Sequence, residues 1–307
     1  MTPPSRPRSP AGVAPPNYRL PAATRPGHVR LQITDLVRSL AFYEGVLGLR
    51  TLDAPDGRVV LAAQNDDTPL VELVERPGAR PVPRHGRLGL YHVAFLLPER
   101  TALGRFLRHL AEAGLRPGAS DHLVSEAVYL SDPDGLGIEV YADRPRERWR
   151  RDADGQIAMA TNPLDVQRLV EAAGAAPWTG MPAGTVVGHV HLHVGDLDRA
   201  AAFYHQALGL DKVVWSYPGA LFLSAGGYHH HLGTNTWAGD VPPAGEDDAR
   251  LLEWTLVVPG ADDVEAVARS LEAAGYPASR DERGVRTTDP WGTALRVTAA
   301  DRHRPGG

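Results

Sequence analysis

Residues 27–49 read GHVRLQITDLVRSLAFYEGVLGL, and residues 188–210 read GHVHLHVGDLDRAAAFYHQALGL. Laid on one another without a gap, they share Gly, His, Val, Leu, Asp, Leu, Arg, Ala, Phe, Tyr, Leu, Gly and Leu in order. Chance does not produce that agreement, so the chain carries an internal repeat, and the repeat decides the architecture. Each copy opens with a period-2 alternation (HVRLQI, HVHLHV), the mark of a strand with one buried face. Asp35 and Asp196 follow, placed to cap the next helix. The first helix is expected to bury Leu40, Phe42, Val46 and Leu47 and to stop at Gly48, as its copy stops at Gly209.

A weaker repeat lies inside each half. The apolar strand LGLYHVAFLLP (88–98) precedes a helical stretch and strands ending in DPDGLGIEVYADR, and LLEWTLVVP (251–259) leads in the same way to DPWGTALRVTAADR. Both DP-x-G segments read as turns joining two strands. The chain therefore reads as four βαβββ modules near 27–76, 88–143, 187–237 and 250–301. Their expected pairing is by sequence neighbour, into an N-terminal metal-binding domain (27–143) and a C-terminal degenerate domain (186–301). Residues 1–26, rich in Pro, Arg and Ala, read as a flexible leader, and 144–185 as a linker with one short helix.

Composition narrows the chemistry. The 307 residues contain no cysteine, which excludes disulfides, thiolate catalysis and Cys-type metal sites. Any metal must be held by imidazole and carboxylate, a donor set that suits Fe(II), Mn, Ni or Zn. A net charge of −5 with both signs interspersed leaves no basic footprint for nucleic acid. No apolar run reaches the roughly 20 residues of a membrane span, and the first 26 residues lack the apolar core of a signal peptide; the absence of cysteine leads to the expectation of a cytoplasmic address.

Four βαβββ modules with a His on the first strand and DPDGxxIE on the last resemble the vicinal-oxygen-chelate superfamily of glyoxalase I, bleomycin-resistance proteins and type I extradiol dioxygenases. The fold class implied is α+β, as two tandem vicinal-oxygen-chelate domains. Within that superfamily, GLYHVAFLLPER, SDHLVSEAVYLSDPDGLGIEVYADRPRERW and SAGGYHHHLGTNTW look like the bacterial catechol 2,3-dioxygenase (CatE-like) group. The resemblance implies ligands on the first and last strands of a module, which in the N-terminal half are His28, His92 and Glu139. Two imidazoles and one carboxylate on a face of Fe(II) leave room for a chelating diol and O₂ together. Read blandly, His28 and His92 are core histidines on buried strands. Three ligand-type residues at three expected positions favour the metal.

The C-terminal copy serves as an internal control. Matching Pro98 with Pro259 sets His92 against Glu253, and matching the DP-x-G turns sets Glu139 against Arg296, which would repel a cation. Only His189 survives there, so this half reads as having lost its metal. His229, His230 and His231 fall on the last strand of the third module, where one could point inward with His189 and Glu253 to make a second site, or all could simply pack.

The resemblance also implies residues that act on substrate. A Tyr ten positions before the ligand Glu is Tyr129, expected to hydrogen-bond the substrate oxygen; His122 lies near the place of a His that orients it. The family's acid–base His is not evident on the strand TPLVELVERP, where the polar inward candidate is Glu72, with His85 in the loop beyond. Glu72 sits where glyoxalase I carries a fourth metal ligand, and otherwise reads as a solvent-facing charge on an edge strand. The leading expectation is an extradiol dioxygenase using Fe(II) and O₂ on a small aromatic diol. A glyoxalase-like isomerase or lyase and a metal-free binding or resistance protein are the alternatives, and homo-oligomerisation is left open.

Overall fold

A computed structural model describes residues 12–54 and 57–300. The first module comprises β1 (Arg25–Ile33), α1 (Leu36–Tyr43), β2 (Arg50–Asp53), β3 (Arg58–Ala62) and β4 (Pro69–Glu75). The second comprises β5 (Gly89–Leu96), α2 (Arg100–Glu112), β6 (Gly118–Asp121), β7 (Ser125–Ser131) and β8 (Gly137–Asp143). The linker adds β9 (Asn162–Pro163) and α3 (Val166–Ala172). The third module runs β10 (Val186–His193), α4 (Leu197–Ala200) with a π-helical continuation (Ala201–Ala207), β11 (Asp211–Val214), β12 (Ala220–Ser224) and β13 (Leu232–Asn235). The fourth runs β14 (Arg250–Val258), α5 (Ala261–Ala273), β15 (Ser279–Asp281), β16 (Gly284–Thr288) and β17 (Ala294–Ala299). The four expected modules are all present.

The local signals act as their chemistry requires. The Asp35 and Asp196 carboxylates accept from the Arg38 and Arg199 amides at the two helix starts. In the DP-x-G turns, Asp132 Oδ1 accepts from the Asp134 and Leu136 amides, and Asp289 Oδ1 from those of Trp291 and Thr293. The helix α1 ends at Tyr43, before Gly48, and Leu47 is fully buried while Leu40, Phe42 and Val46 pack partly buried against the core. Gly48 has φ +76°, and a Cβ there would lie 2.4 Å from the Gly180 Cα, so the linker can cross this turn only over a glycine.

How the modules combine differs from the expected pairing of neighbours. One sheet of eight strands, in the order β15-β16-β17-β14-β1-β4-β3-β2, joins the first module to the fourth. The other, of nine strands in the order β11-β12-β13-β10-β5-β8-β7-β6-β9, joins the second to the third. At each junction the two leading strands run antiparallel, β1 beside β14 and β5 beside β10. Pairing two leading strands places both in mid-sheet, with hydrogen bonds on each side and no exposed edge. Sequence neighbours are tied instead through the helix layer. The Tyr43 hydroxyl donates to Asp132 Oδ2 (3.1 Å) and the Tyr204 hydroxyl to Asp289 Oδ2 (2.9 Å), which accounts for the shared Phe-Tyr of the repeat.

Strand alternation then sorts side chains between two faces. Val93, Phe95, Ile138, Val140, Val190 and Leu192 turn into the main core, each about 1.5–3 kcal/mol of burial. Their alternates His92, Glu139, His189 and His191 turn to the opposite, concave face. The part of the leader within the described residues is packed, contrary to the expectation of flexibility. Val13 pairs with Lys212, Leu20 is buried, and Arg19 grips Asp211 through two 2.8 Å hydrogen bonds; the rest of that expectation falls on 1–11, outside the described residues. Among the described residues no helix is long and apolar enough to cross a membrane.

Cross-pairing makes the halves interdependent. A fragment ending at residue 160 holds two complete modules but leaves β1 and β5 as long open edges, so it should be insoluble or lack a cooperative melt by circular dichroism. A soluble fragment that melts cooperatively would contradict the pairing.

Candidate metal centre

The pairing of β5 with β10 sets two histidines side by side on the concave face. His92 Nε2 and His189 Nε2 lie 3.3 Å apart, and Glu139 Oε2 on β8 is 2.9 Å from the first and 3.2 Å from the second. All three side chains are almost fully buried. Among the described residues this is the one group of three His or carboxylate side chains whose ligand atoms converge closely enough to share an ion. Burial opposes ionisation of Glu139, but the two imidazoles outweigh it and hold the carboxyl well below the usual carboxylate range. Burial pushes His189 down to about 4 against the attraction of Glu139, so its ring is neutral at pH 7. Neutral imidazole and carboxylate are the forms that bind a metal, and two nitrogens with one oxygen fit Fe(II), Mn, Ni or Zn.

His28 is not part of this group, which corrects the expected ligand set. It stands on β1 in the other sheet, in the mirror position generated by the repeat, and His189 takes its place. The mirror position is closed by ion pairs. Arg30 binds Glu72 at 2.9 Å, Arg286 and Arg296 bind Glu253 at 2.9 and 3.0 Å, and Arg296 also bridges to Asp281. Guanidinium groups supply the positive charge there. Glu72, paired also with Arg58 at 3.5 Å, is neither a fourth ligand of the His92 group nor a free surface charge. The degenerate site is thus shared by modules one and four, and the metal-type site by modules two and three.

The repeat also shows where a fourth ligand would stand. Across β5 and β8, Ala94 pairs with Glu139; across β10 and β13, the matching residues are His191 and Gly233. A Cβ at Gly233 would lie 2.8 Å from the His191 ring, so that ring occupies the space a fourth carboxylate would need. His191 is held by Asn235, whose amide donates to its Nε2 at 2.9 Å, while Asn235 Oδ1 accepts from His193 Nδ1 at 2.7 Å.

A cavity of about 250 Å³ opens over the triad, below the ~300–1,000 Å³ of pockets for drug-sized ligands. His122 and Tyr129 both line it. His122 Nδ1–H donates to the Ala160 carbonyl at 2.6 Å, which leaves Nε2 to accept from the Tyr129 hydroxyl, also at 2.6 Å. Burial, reinforced by Glu139, raises the Tyr129 phenol well above its ordinary range. Three features of the wall were not expected. Met159, Ala160 and Thr161 of the linker close one side, fastened where Thr161 and Tyr217 share a 3.0 Å hydroxyl contact. Tyr91 and Trp237 form an exposed aromatic rim, their ring centroids 5.8 Å apart. His230 turns into the cavity with its ring centroid 4.0 Å from that of His189, while His229 and His231 point elsewhere. Glu253 lies in the other sheet, so the second site envisaged from the three histidines does not form.

Comparison with known proteins agrees with this architecture. The family model described as the Glyoxalase/Bleomycin resistance protein/Dioxygenase superfamily matches residues 25–140 and 186–297. The chain belongs to that superfamily. It is 46% identical over 270 residues, 87% of its length and 94% of the relative's, to a protein of Bacillus subtilis (strain 168) named catechol-2,3-dioxygenase. The structure of a putative dioxygenase from Bacillus subtilis superposes with a TM-score of 0.61 at 14% identity, covering 94% of this chain and 87% of the other. Glyoxalase I from Zea mays superposes at 0.54 and 18% identity, covering 90% and 92%. These two likenesses speak for the superfamily's α+β fold.

Two measurements follow. His189→Ala should abolish metal binding and His28→Ala should spare it, read as metal per chain by elemental analysis; the reverse pattern would return the site to the first module. Stability should also fall with acid in the metal-free protein. His189 at about 4 and His231 at about 3 are depressed chiefly by burial, whereas the unfolded rings protonate near 6.5. The unfolded state therefore binds more protons below 6.5, and the stability held above that value is lost as the pH drops toward 4. Thermal melts should show Tm descending through this window; a flat Tm would contradict the buried neutral rings.

Proposed function

We propose that this chain is an extradiol ring-cleaving dioxygenase that opens a small catecholic ring with O₂ at a non-haem Fe(II) held by His92, His189 and Glu139. The observation that carries the reading is the three-ligand set with glycine at the fourth position. A metal held by three protein groups on one side keeps adjacent positions for both hydroxyls of a diol and for O₂. An isomerase of the glyoxalase kind calls for a second carboxylate, and Gly233 under the His191 ring denies it a place. The near-half identity with the Bacillus catechol-2,3-dioxygenase over most of both chains supports the same choice. So does a cavity of small size with an aromatic rim at its mouth.

When bound, the iron supplies a shared centre through which the diol can pass electrons to O₂. The protein's own groups manage protons and position. The Tyr129 hydroxyl gives its hydrogen to His122 Nε2, so its oxygen lone pairs are left for a substrate hydroxyl in the cavity. His230, whose ring lines the cavity wall beside His189, stands as a base for the second substrate proton. Linker residues 159–161 help exclude water from the reacting ring.

Iron removal and reconstitution test the reading. Protein purified without oxygen and loaded with ferrous salt should cleave catechol, lose activity as the iron oxidises in air, and recover with ferrous salt and reductant. Indifference to iron, with full activity on Ni or Zn, would favour the isomerase. Tyr129→Phe leaves the substrate hydroxyl without its buried acceptor, a cost of about 1–3 kcal/mol, and should lower kcat/KM roughly 5- to 150-fold at unchanged iron content. His122→Gln should slow turnover in the same way. Full activity in both variants would remove these residues from the mechanism.

A further inference from the structure

Behind His230 a chain of hydrogen bonds leads out of the cavity. His230 Nδ1 lies 2.8 Å from His229 Nδ1, and His229 Nε2 lies 2.9 Å from Asp143 Oδ1. The His229 side chain is fully buried, and Asp143 is one-quarter exposed on the wall of a separate cleft. We propose that Asp143, acting through His229, is a positioning residue that fixes which nitrogen of His230 carries the hydrogen, leaving Nε2 as the acceptor. This inference rests on the reading of His230 as the base.

The argument is one of donor and acceptor capacity. A carboxylate only accepts, so His229 must present Nε2–H to Asp143. When the His229 ring carries one N–H, that hydrogen is spent on Asp143 and its Nδ1 is bare. Two bare nitrogens cannot face each other at 2.8 Å, so His230 must donate its Nδ1–H to His229. What remains is His230 Nε2, an acceptor with no hydrogen-bond partner among the described residues, on a ring that lines the cavity. Reversing any one link would turn a donor toward the substrate and remove the base. The surroundings hold the rings in place: Tyr228 lies over His229 at 4.1 Å between centroids, and its hydroxyl meets that of Tyr141 at 2.8 Å. Asp143 follows Glu139 on β8, so one strand supplies a metal ligand and, one turn of the alternation beyond Tyr141, the start of the chain.

The iron-loaded enzyme tests this with catechol as substrate. Asp143→Ala should lower kcat about 10- to 100-fold, while KM, iron content and Tm stay close to wild type, and Asp143→Glu should restore most of the loss. His229→Phe keeps a ring in place but breaks the chain, and adding Asp143→Ala to it should cost nothing further, since both remove the same link. Wild-type kcat in Asp143→Ala, or losses that multiply in the double variant, would overturn the proposal. Should Asp143→Ala prove unstable, Asp143→Leu, close in shape but unable to accept a hydrogen bond, decides on the same terms in the same cycle. Failure of the underlying reading looks different: His230→Ala would then keep full activity, or the wild type would cleave no catechol.

Discussion

The antiparallel pairing of β5 with β10 sits at the centre of this molecule. It sets His92 and His189 with their Nε2 atoms 3.3 Å apart, and it brings β8 and β13, the strands that flank them, to matching places on one concave face. Neither histidine-bearing module has a site by itself. The metal-type group, the substrate cavity and the His230 chain all draw on residues from both sides of that seam. The interlock of Tyr43 with Asp132 and Tyr204 with Asp289 then binds each module to its sequence neighbour through the helices. The two sheets cannot separate without breaking both halves of the chain.

Duplication followed by divergence is visible in charge. The two concave faces began from the same pattern, and each resolved the same electrostatic problem differently. In the first sheet Glu72 and Glu253 are neutralised by Arg30, Arg58, Arg286 and Arg296, which need no metal. In the second, Glu139 faces the imidazoles of His92 and His189, an arrangement that leaves room for an external cation. Gly233 leaves the space that the His191 ring fills, and the converging group has three ligand-type side chains.

Much of this was legible in the residues. The gapless repeat, the capping aspartates and the DP-x-G turns gave four modules at nearly their true limits, and His92, Glu139, His122 and Tyr129 meet in one cavity. The third ligand was not legible from the repeat, because GHV at 27 and GHV at 188 are locally identical and only strand pairing distinguishes them. Pairing of distant strands leaves no periodic signal in sequence. A signal did exist in composition: inward positions of modules one and four carry Arg and Glu, while module three carries His189, His191, His193 and the run His229–His231. That asymmetry points to the sheet built by modules two and three. The place of His230 in the cavity wall was hidden for a similar reason, since three consecutive histidines cannot all face one way, and only the backbone path after Gly227 decides which does.

The measurement that bears most directly on this account is anomalous diffraction at the iron edge from crystals of the anaerobically loaded protein. The account predicts one peak per chain, bounded by His92 Nε2, His189 Nε2 and a Glu139 carboxylate oxygen, with no fourth side chain in contact. A peak beside His28 and Glu253, or a fourth protein ligand on the iron, would contradict it.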